Sequence, residues 1–365
     1  MQKLRGISLF SGVGGMDIAA HKSGVDIVYA NEIDPVIGKA LSKNFPGTEV
    51  IIDDINNVDS FPEAEIVFGG YPCQSFSMGG KRDPKKDPRT LLYLQFARVL
   101  NQVNPLFFIA ENVSGLSKIK NGSFLSEQLK VFGKSGKSGY NVTYKVVNAQ
   151  DYGVPQSRKR IFLVGVRKDL DFEFVFPEET HGKVTKKTSN LLPYTSHGEV
   201  IKDLPLWPEG EFYERPNEEG NFSWYFMSRN RKADWDKPAY TVVANWRHIT
   251  LHPACPKMKL TWSDLENGWK QRWDFSDEYE HLEKDSTRQI LEKPRRLSWR
   301  EAARIQTFPD NFHFEGNTEQ KFTQIGNAVP PMLAQVMFSH LINTYGINSK
   351  TPLVTAKNIR QNKLP

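Results

Sequence analysis

The stretch Ala64-Glu65-Ile66-Val67-Phe68-Gly69-Gly70-Tyr71-Pro72-Cys73-Gln74-Ser75-Phe76-Ser77 sets the architecture of this chain. Its first half is a short apolar run that reads as a buried strand, and the paired glycines end that strand in a turn. Pro72 fixes φ immediately before the cysteine, so the thiol stands on a stiff turn. A loop follows that mixes Gly79 and Gly80 with Lys81, Arg82, Lys85, Lys86 and Arg89. A thiol at a strand end, followed by a basic loop, suits a nucleophile whose substrate carries phosphates. Composition alone favours the duller alternative, a small buried hydrophobe.

Outward from this strand the same rhythm repeats. Residues 6–10 read as a strand, Ser11-Gly12-Val13-Gly14-Gly15 as a turn, and 16–23 as a helix. A strand over 25–30 ends in Asn31-Glu32-Ile33-Asp34-Pro35, and a helix covers 36–44. A third strand, 49–52, ends at Asp53-Asp54-Ile55. On the other side come a helix over 89–101, a strand over 105–110 ending in Glu111-Asn112-Val113, and a helix over 123–132. Strands over 141–148 and 161–166 follow. Alternating short strands and helices predict an α/β fold with a mostly parallel sheet, whose ligands bind at the carboxyl ends of the strands.

The rhythm stops near Phe176. Seven of the eight tryptophans lie between 207 and 273, among prolines and basic residues, which predicts a second, irregular domain. A helix over 295–307 is expected, with Ser298 and Glu301 forming a capping box. A last helix over 332–342 starts after Pro330-Pro331. The expected division is 1–178 with 320–347 as one domain, 179–319 as the other, and a polar basic tail from 348 to 365.

At 365 residues the chain is long enough for two domains, and its net charge of +6 favours an anionic partner without identifying it. Two cysteines, Cys73 and Cys255, leave no disulfide framework; Cys255 is taken as structural. No histidine cluster suggests a metal, and no apolar run approaches the ~20 residues that span a bilayer. Without a signal-peptide pattern, a reducing cytoplasmic compartment is expected.

The strand-end residues carry the chemistry. Glycines after the first strand let a backbone approach a ligand at a helix N-terminus, although a tight structural turn needs them equally. Glu32 can accept ribose hydroxyls, and Asp54 with Ile55 can meet an adenine. Taken singly, Glu32, Asp53 and Asp54 each read more readily as a solvated strand end. Glu111 ends a buried strand, where a carboxyl can serve as proton donor or pair with a basic neighbour. Arg158 and Arg160 share a face if the strand begins there, and otherwise are exposed arginines.

Taken together, these segments resemble the motifs of the bacterial DNA cytosine-5 methyltransferases. The colinear set runs from Phe10–Gly15 through Glu32, Asp54-Ile55, Pro72-Cys73-Gln74, Glu111-Asn112-Val113 and Gln156-Ser157-Arg158-Lys159-Arg160. It continues with Arg295-Arg296-Leu297-Ser298, Glu301, Gln306-Thr307-Phe308-Pro309 and Gly326-Asn327-Ala328-Val329-Pro330-Pro331. The resemblance implies a Rossmann-like methyltransferase domain with a smaller target-recognition domain. It also implies S-adenosylmethionine as methyl donor and a cytosine flipped out of double-stranded DNA.

By the same resemblance, Cys73 attacks C6 of the cytosine and Glu111 protonates N3. Arg160 holds O2, and Arg158 supports the thiolate. Phe10, Gly12, Gly15, Glu32, Ile33, Asp54, Ile55, Pro72 and Asn327 are expected at the cofactor. Gln74, Ser77, Lys81, Arg82, Arg89, Arg229, Arg231 and Arg247 are expected on DNA, the last three in the middle region beside aromatics. A monomer acting on nucleoid DNA, with a separate cognate restriction endonuclease, is the expected setting. An RNA cytosine-5 methyltransferase of the same fold and a catalytically silent DNA-binding protein are the competing readings. A hydride-transferring dinucleotide enzyme fails on the glycine spacing.

Overall fold

The computed structural model describes residues 4–72, 91–185, 188, 190–212, 222–265, 268–278, 291 and 293–344. Two compact units share the chain: 1–148, 159–178 and 329–365 form unit 1, and 149–158 with 179–328 form unit 2.

Unit 1 is built on a seven-stranded sheet. In chain order its strands are β1 (Leu4–Leu9), β2 (Val25–Glu32), β3 (Glu49–Ile52), β4 (Ile66–Gly69), β5 (Phe107–Val113), β6 (Tyr140–Asn148) and β7 (Lys159–Arg167). Their spatial order is β3-β2-β1-β4-β5-β7-β6. The first five run parallel, and β7 pairs antiparallel with both β5 and β6. The chain winds outward from β1 to β3 and then returns to the other side of β1 as β4. Strand order therefore reverses between β1 and β4, where open α/β sheets bind ligands. The turn that leads to Cys73 leaves β4 at this point.

The helices of unit 1 are α1 (Gly15–Lys22), α2 (Pro35–Asn44), α3 (Leu92–Val103), α4 (Ser123–Lys134) and α9 (Pro331–Thr344). Asp34 caps α2 by accepting from the Val36 and Ile37 amides, and Pro35 opens the helix with its φ already set. Helices α3 and α4 bury Phe96 and Phe132 against Phe108 of β5, with Tyr71, Tyr93 and Tyr140 packed edge-on around them. Helix α9 packs on α1 and sets Phe338 edge-on against Phe68.

The parallel pairing of β4 stops at Gly69 opposite Ala110, but β5 runs on through Glu111, Asn112 and Val113. The apolar run by itself predicts a strand end at 110. The three extra residues stay in the sheet because β7 pairs with them, Val113 opposite Arg160. Gly69 is dictated by the close approach of β1 on the other side: a Cβ there would lie 1.9 Å from the Leu9 carbonyl oxygen.

Unit 2 has short elements: α5 (His197–Ile201), α6 (Trp224–Met227), the hairpin β8 (Met258–Leu265) and β9 (Gly268–Phe275), α7 (Trp299–Ile305) and α8 (Thr318–Asn327). The hairpin has no counterpart in the sequence reading. The capping box forms, with Ser298 accepting from the Glu301 amide and Glu301 bonding back to the Ser298 amide. Glu301 also grips Arg295 through two bonds of 2.8 and 2.9 Å. Phe226, Trp235, Leu251 and Cys255 form the nearby core, where burial pushes the Cys255 thiol up to about 11.

Buried histidines make unit 2 acid-sensitive. Burial lowers His197 to about 4, and burial with neighbouring Arg295 lowers His252 well below its usual range. Between pH 6.5 and 4 the unfolded chain takes up protons that the folded unit refuses, so stability falls as pH drops. All eight tryptophans lie in unit 2, so indole fluorescence follows its unfolding. A urea titration at pH 5 is expected to show about 2 kcal/mol less stability than one at pH 7 for His197 alone. Equal midpoints at the two pH values would count against neutral buried histidines.

Candidate active site

The chain reaches Cys73 from a rigid base. Asn112, on the extended end of β5, donates to the Tyr71 carbonyl at 2.9 Å, and the Tyr71 hydroxyl bonds buried Gln128 of α4 at 2.5 Å. Tyr71 is thus held at both ends, two residues before the cysteine. The motif gives Asn112 no task of its own, and nothing local in the sequence singles out Gln128. Their work depends on which segments β5 and α4 pack beside. Cys73, Gln74, Ser77, Lys81, Arg82 and Arg89 lie outside the described residues.

Glu111 stands next to this turn. A Cβ on Gly70 would sit 3.0 Å from the Glu111 Oε2. Arg160 Nε meets the other oxygen at 2.9 Å, across the diagonal of the antiparallel β5–β7 pair. Both side chains are largely buried; burial lowers the Arg160 pKa, and Glu111 opposes that shift. One face at the switch point therefore carries an ordered carboxyl and guanidinium.

Arg158 does not share that face. Strand β7 begins at Lys159, and Arg158, only 1 % exposed, turns into unit 2. Its guanidinium donates to the carbonyls of Val242, Gly326 and Ala328 at 2.8, 2.8 and 3.0 Å. Gln156 accepts from the Val242 amide and donates to Gln306, which donates in turn to the Ile325 carbonyl. These bonds draw 149–158 and the whole of α8 into unit 2, and the chain returns to unit 1 at 329 rather than 320. Asn327 ends α8 as an exposed residue of unit 2.

At the other edge of the switch point, Glu32 is no solvated strand end. It is 8 % exposed and accepts from the Gly12 amide at 2.8 Å and the Asp34 amide at 2.9 Å. Burial raises its pKa and these two bonds oppose the rise. Phe10 and Gly12 both adopt left-handed backbone, φ 51° and 56°, and a Cβ on Gly12 would project into open space. Gly15 opens α1, and Ile33 is 64 % exposed beside Glu32. Pro72 is half-buried after the anchored Tyr71. Asp54 caps the turn Ile55–Asn57 through the Asn56 amide. Ile55 itself is a correction: its side chain is buried in the core of unit 1, so the exposed apolar groups at this edge are Ile33 and Ile52. An open glycine loop, an acid and an exposed aliphatic side chain at strand ends fit a nucleoside-bearing cofactor. Among the described residues no cluster of histidine, cysteine or acidic side chains could hold a metal, and no helix is long and apolar enough to cross a membrane.

In unit 2 the arginines singled out from sequence converge. Burial lowers the His248 pKa, and Arg231, Arg296, Arg229 and Arg247 lower it further; its ring packs on Tyr225 at 5.2 Å. Arg231 is ordered by its Nε bond to the Phe226 carbonyl and by that residue's ring beneath it. Arg247 lies over Trp246 at 4.6 Å.

Sheet order, switch-point loops and the anchored turn at Tyr71 define a Rossmann-like fold of the kind methyltransferases use. The family model for C-5 cytosine-specific DNA methylase matches residues 4–343, and the chain belongs to that family. It is a DNA cytosine-5 methyltransferase that uses S-adenosylmethionine. Type II methyltransferase M.NgoPII of Neisseria gonorrhoeae is 38 % identical over 342 residues, covering 90 % of this chain and 92 % of that protein. Type II methyltransferase M.FnuDI of Fusobacterium nucleatum is 36 % identical over 371 residues, covering 98 % of each. In fold, the chain is similar to S. pombe Dnmt2 methyltransferase, with TM-score 0.64, 18 % identity and coverage of 95 % of this chain and 100 % of that one.

Proposed function

We propose that this enzyme methylates cytosine within a short sequence of duplex DNA as the modification partner of a separate restriction endonuclease, acting as a monomer in the cytoplasm. The observation that carries the catalytic part is the Glu111–Arg160 pair beside the anchored turn that leads to Cys73. Similarity to Type II methyltransferases across nearly the whole chain supports the biological setting.

Cytosine C5 is a poor nucleophile. Addition of the Cys73 thiolate to C6 places electron density on C5 and splits one hard step into two easier ones. Glu111 binds the N3 and N4 edge and protonates N3 as that charge builds, while Arg160 holds O2. S-adenosylmethionine, when bound, supplies the methyl group as an electrophile. Phe10, Gly12, Gly15, Glu32, Ile33, Asp54 and Pro72 form its cradle, with Asn327 as a further contact. Loss of the C5 proton to a base and departure of Cys73 then restore the aromatic ring. Arg158 supports this chemistry indirectly, by fixing the start of the strand that carries Arg160. On the DNA side, Gln74, Ser77, Lys81, Arg82 and Arg89 engage the target strand, and Arg229, Arg231 and Arg247 contact base edges and phosphates.

Methylation-sensitive sequencing of host DNA after expression of the enzyme tests the proposal. One short motif methylated at C5 is the expected result. DNA left unmethylated by soluble, folded protein would sink it.

A further inference from the structure

The β8–β9 hairpin of unit 2 has a divided surface. Met258 and Phe275, at its root, pack on the core around Cys255 and Leu251. Farther out on the same face, Leu260 is 44 % exposed and Trp262 59 % exposed. The opposite face carries Lys259, Thr261, Lys270, Arg272 and Asp274. Among the described side chains, 258–262 and 270–275, three cations face one carboxylate. Asp274 is already committed: it accepts from Thr261 at 2.5 Å and from Arg272 at 2.6 Å, which stiffens the hairpin. Lys259 and Lys270 are exposed.

An unbroken set of ring contacts ties this hairpin to the arginine cluster. Phe275 touches Phe222, which stacks on Phe226 at 5.0 Å, and Arg231 and Arg296 both lie over the Phe226 ring. Lys270 reaches over Trp224 of α6 at 6.0 Å. The hairpin therefore extends the cationic surface of unit 2 with two exposed lysines and an uncovered apolar strip. Its charge matches a polyanion, and a flat indole with an aliphatic neighbour suits sugar faces between phosphates.

We infer that the β8–β9 hairpin enters a groove of the duplex flanking the recognised sequence edge-on, so that Lys259 and Lys270 on one face meet phosphates and Trp262 and Leu260 on the other meet sugars. The inference rests on the proposed reading of DNA by unit 2, and adds a second contact that lengthens the footprint without reading bases.

The test uses the full-length enzyme and the motif found by sequencing, placed centrally in duplexes of about 14 and about 30 base pairs. Wild type is expected to bind the longer duplex about tenfold more tightly. Trp262→Ala, and separately the double variant Lys259→Gln/Lys270→Gln, should lose most of that preference and keep wild-type affinity and turnover on the short duplex. For the double variant, the slope of log affinity against log salt on the long duplex should shrink by about two. Because both lysines are exposed, that variant separates binding from folding. Equal wild-type affinity for both lengths would overturn the inference, as would equal weakening of both lengths in the variants. Loss of self-association with unchanged DNA binding would assign the strip to a second copy instead. A wild type that methylates no DNA defeats the proposed function itself; one that methylates both lengths with equal affinity defeats only the hairpin's part.

Discussion

Cys73→Ala is expected to lower methyl transfer by about four orders of magnitude or more while leaving DNA affinity within about twofold. The asymmetry follows from the chemistry. In the proposed mechanism the thiol supplies the bond that turns C5 into a nucleophile, and alanine has no group to form it. Binding, in the same proposal, rests instead on the basic and aromatic residues of unit 2 and on the basic residues that follow Cys73 in sequence. Only two cysteines occur, and Cys255 is buried with its thiol pushed up to about 11, so it is a poor substitute nucleophile. Duplex DNA carrying 5-fluorocytosine at the target gives the complementary readout. Fluorine at C5 cannot leave as a proton, so wild type should form an adduct stable on a denaturing gel and the alanine variant none. Turnover surviving in Cys73→Ala would overturn the nucleophile assignment.

The second large effect belongs to Arg158. Its guanidinium joins three carbonyls that come from two separate segments of unit 2. Removing a buried, hydrogen-bonded charge orphans those carbonyls and opens a cavity, together costing about 3–5 kcal/mol. Arg158→Ala should therefore lower the urea midpoint followed by indole fluorescence and lose activity in proportion to the unfolded fraction. Arg158→Lys keeps the charge, but a single ammonium cannot span the fork, so it should recover only part of the stability. A fully stable Arg158→Ala protein that is nonetheless inactive would return Arg158 to the chemistry. The contrast with Arg160, two residues on, is informative: that guanidinium pairs with Glu111, on the face proposed to hold the cytosine.

Much of the α/β half was legible because its signals are local. An apolar run closed by Gly69-Gly70 is a strand wherever it lies, and Asp34-Pro35 starts a helix through contacts within one turn. The capping box at Ser298 is similarly self-contained. Glu111 could be named because a carboxyl at the end of an apolar strand is conspicuous, but its partner could not be derived. Choosing between an ion pair and a free proton donor requires knowing that β7 runs antiparallel beside β5 and sets Arg160 on the diagonal.

Spacing also placed Arg158 and Arg160 on one face, which presumed a strand through both residues. The strand starts one residue later, and Arg158 is drawn away by carbonyls distant in sequence. Ile55 reads as an adenine contact, yet the packing of unit 1 buries it and leaves Ile33 and Ile52 exposed. Sequence by itself determined the mostly parallel sheet, the motif order and the family, and nominated the reacting side chains, because these rest on local periodicity and on residue types that few chemistries require. Tertiary structure alone decided the reversal of strand order between β1 and β4, the clamping of Tyr71 by Asn112 and Gln128, and the division of labour between the two arginines. Each of those depends on which distant backbone comes within hydrogen-bonding reach, and no local pattern encodes that distance.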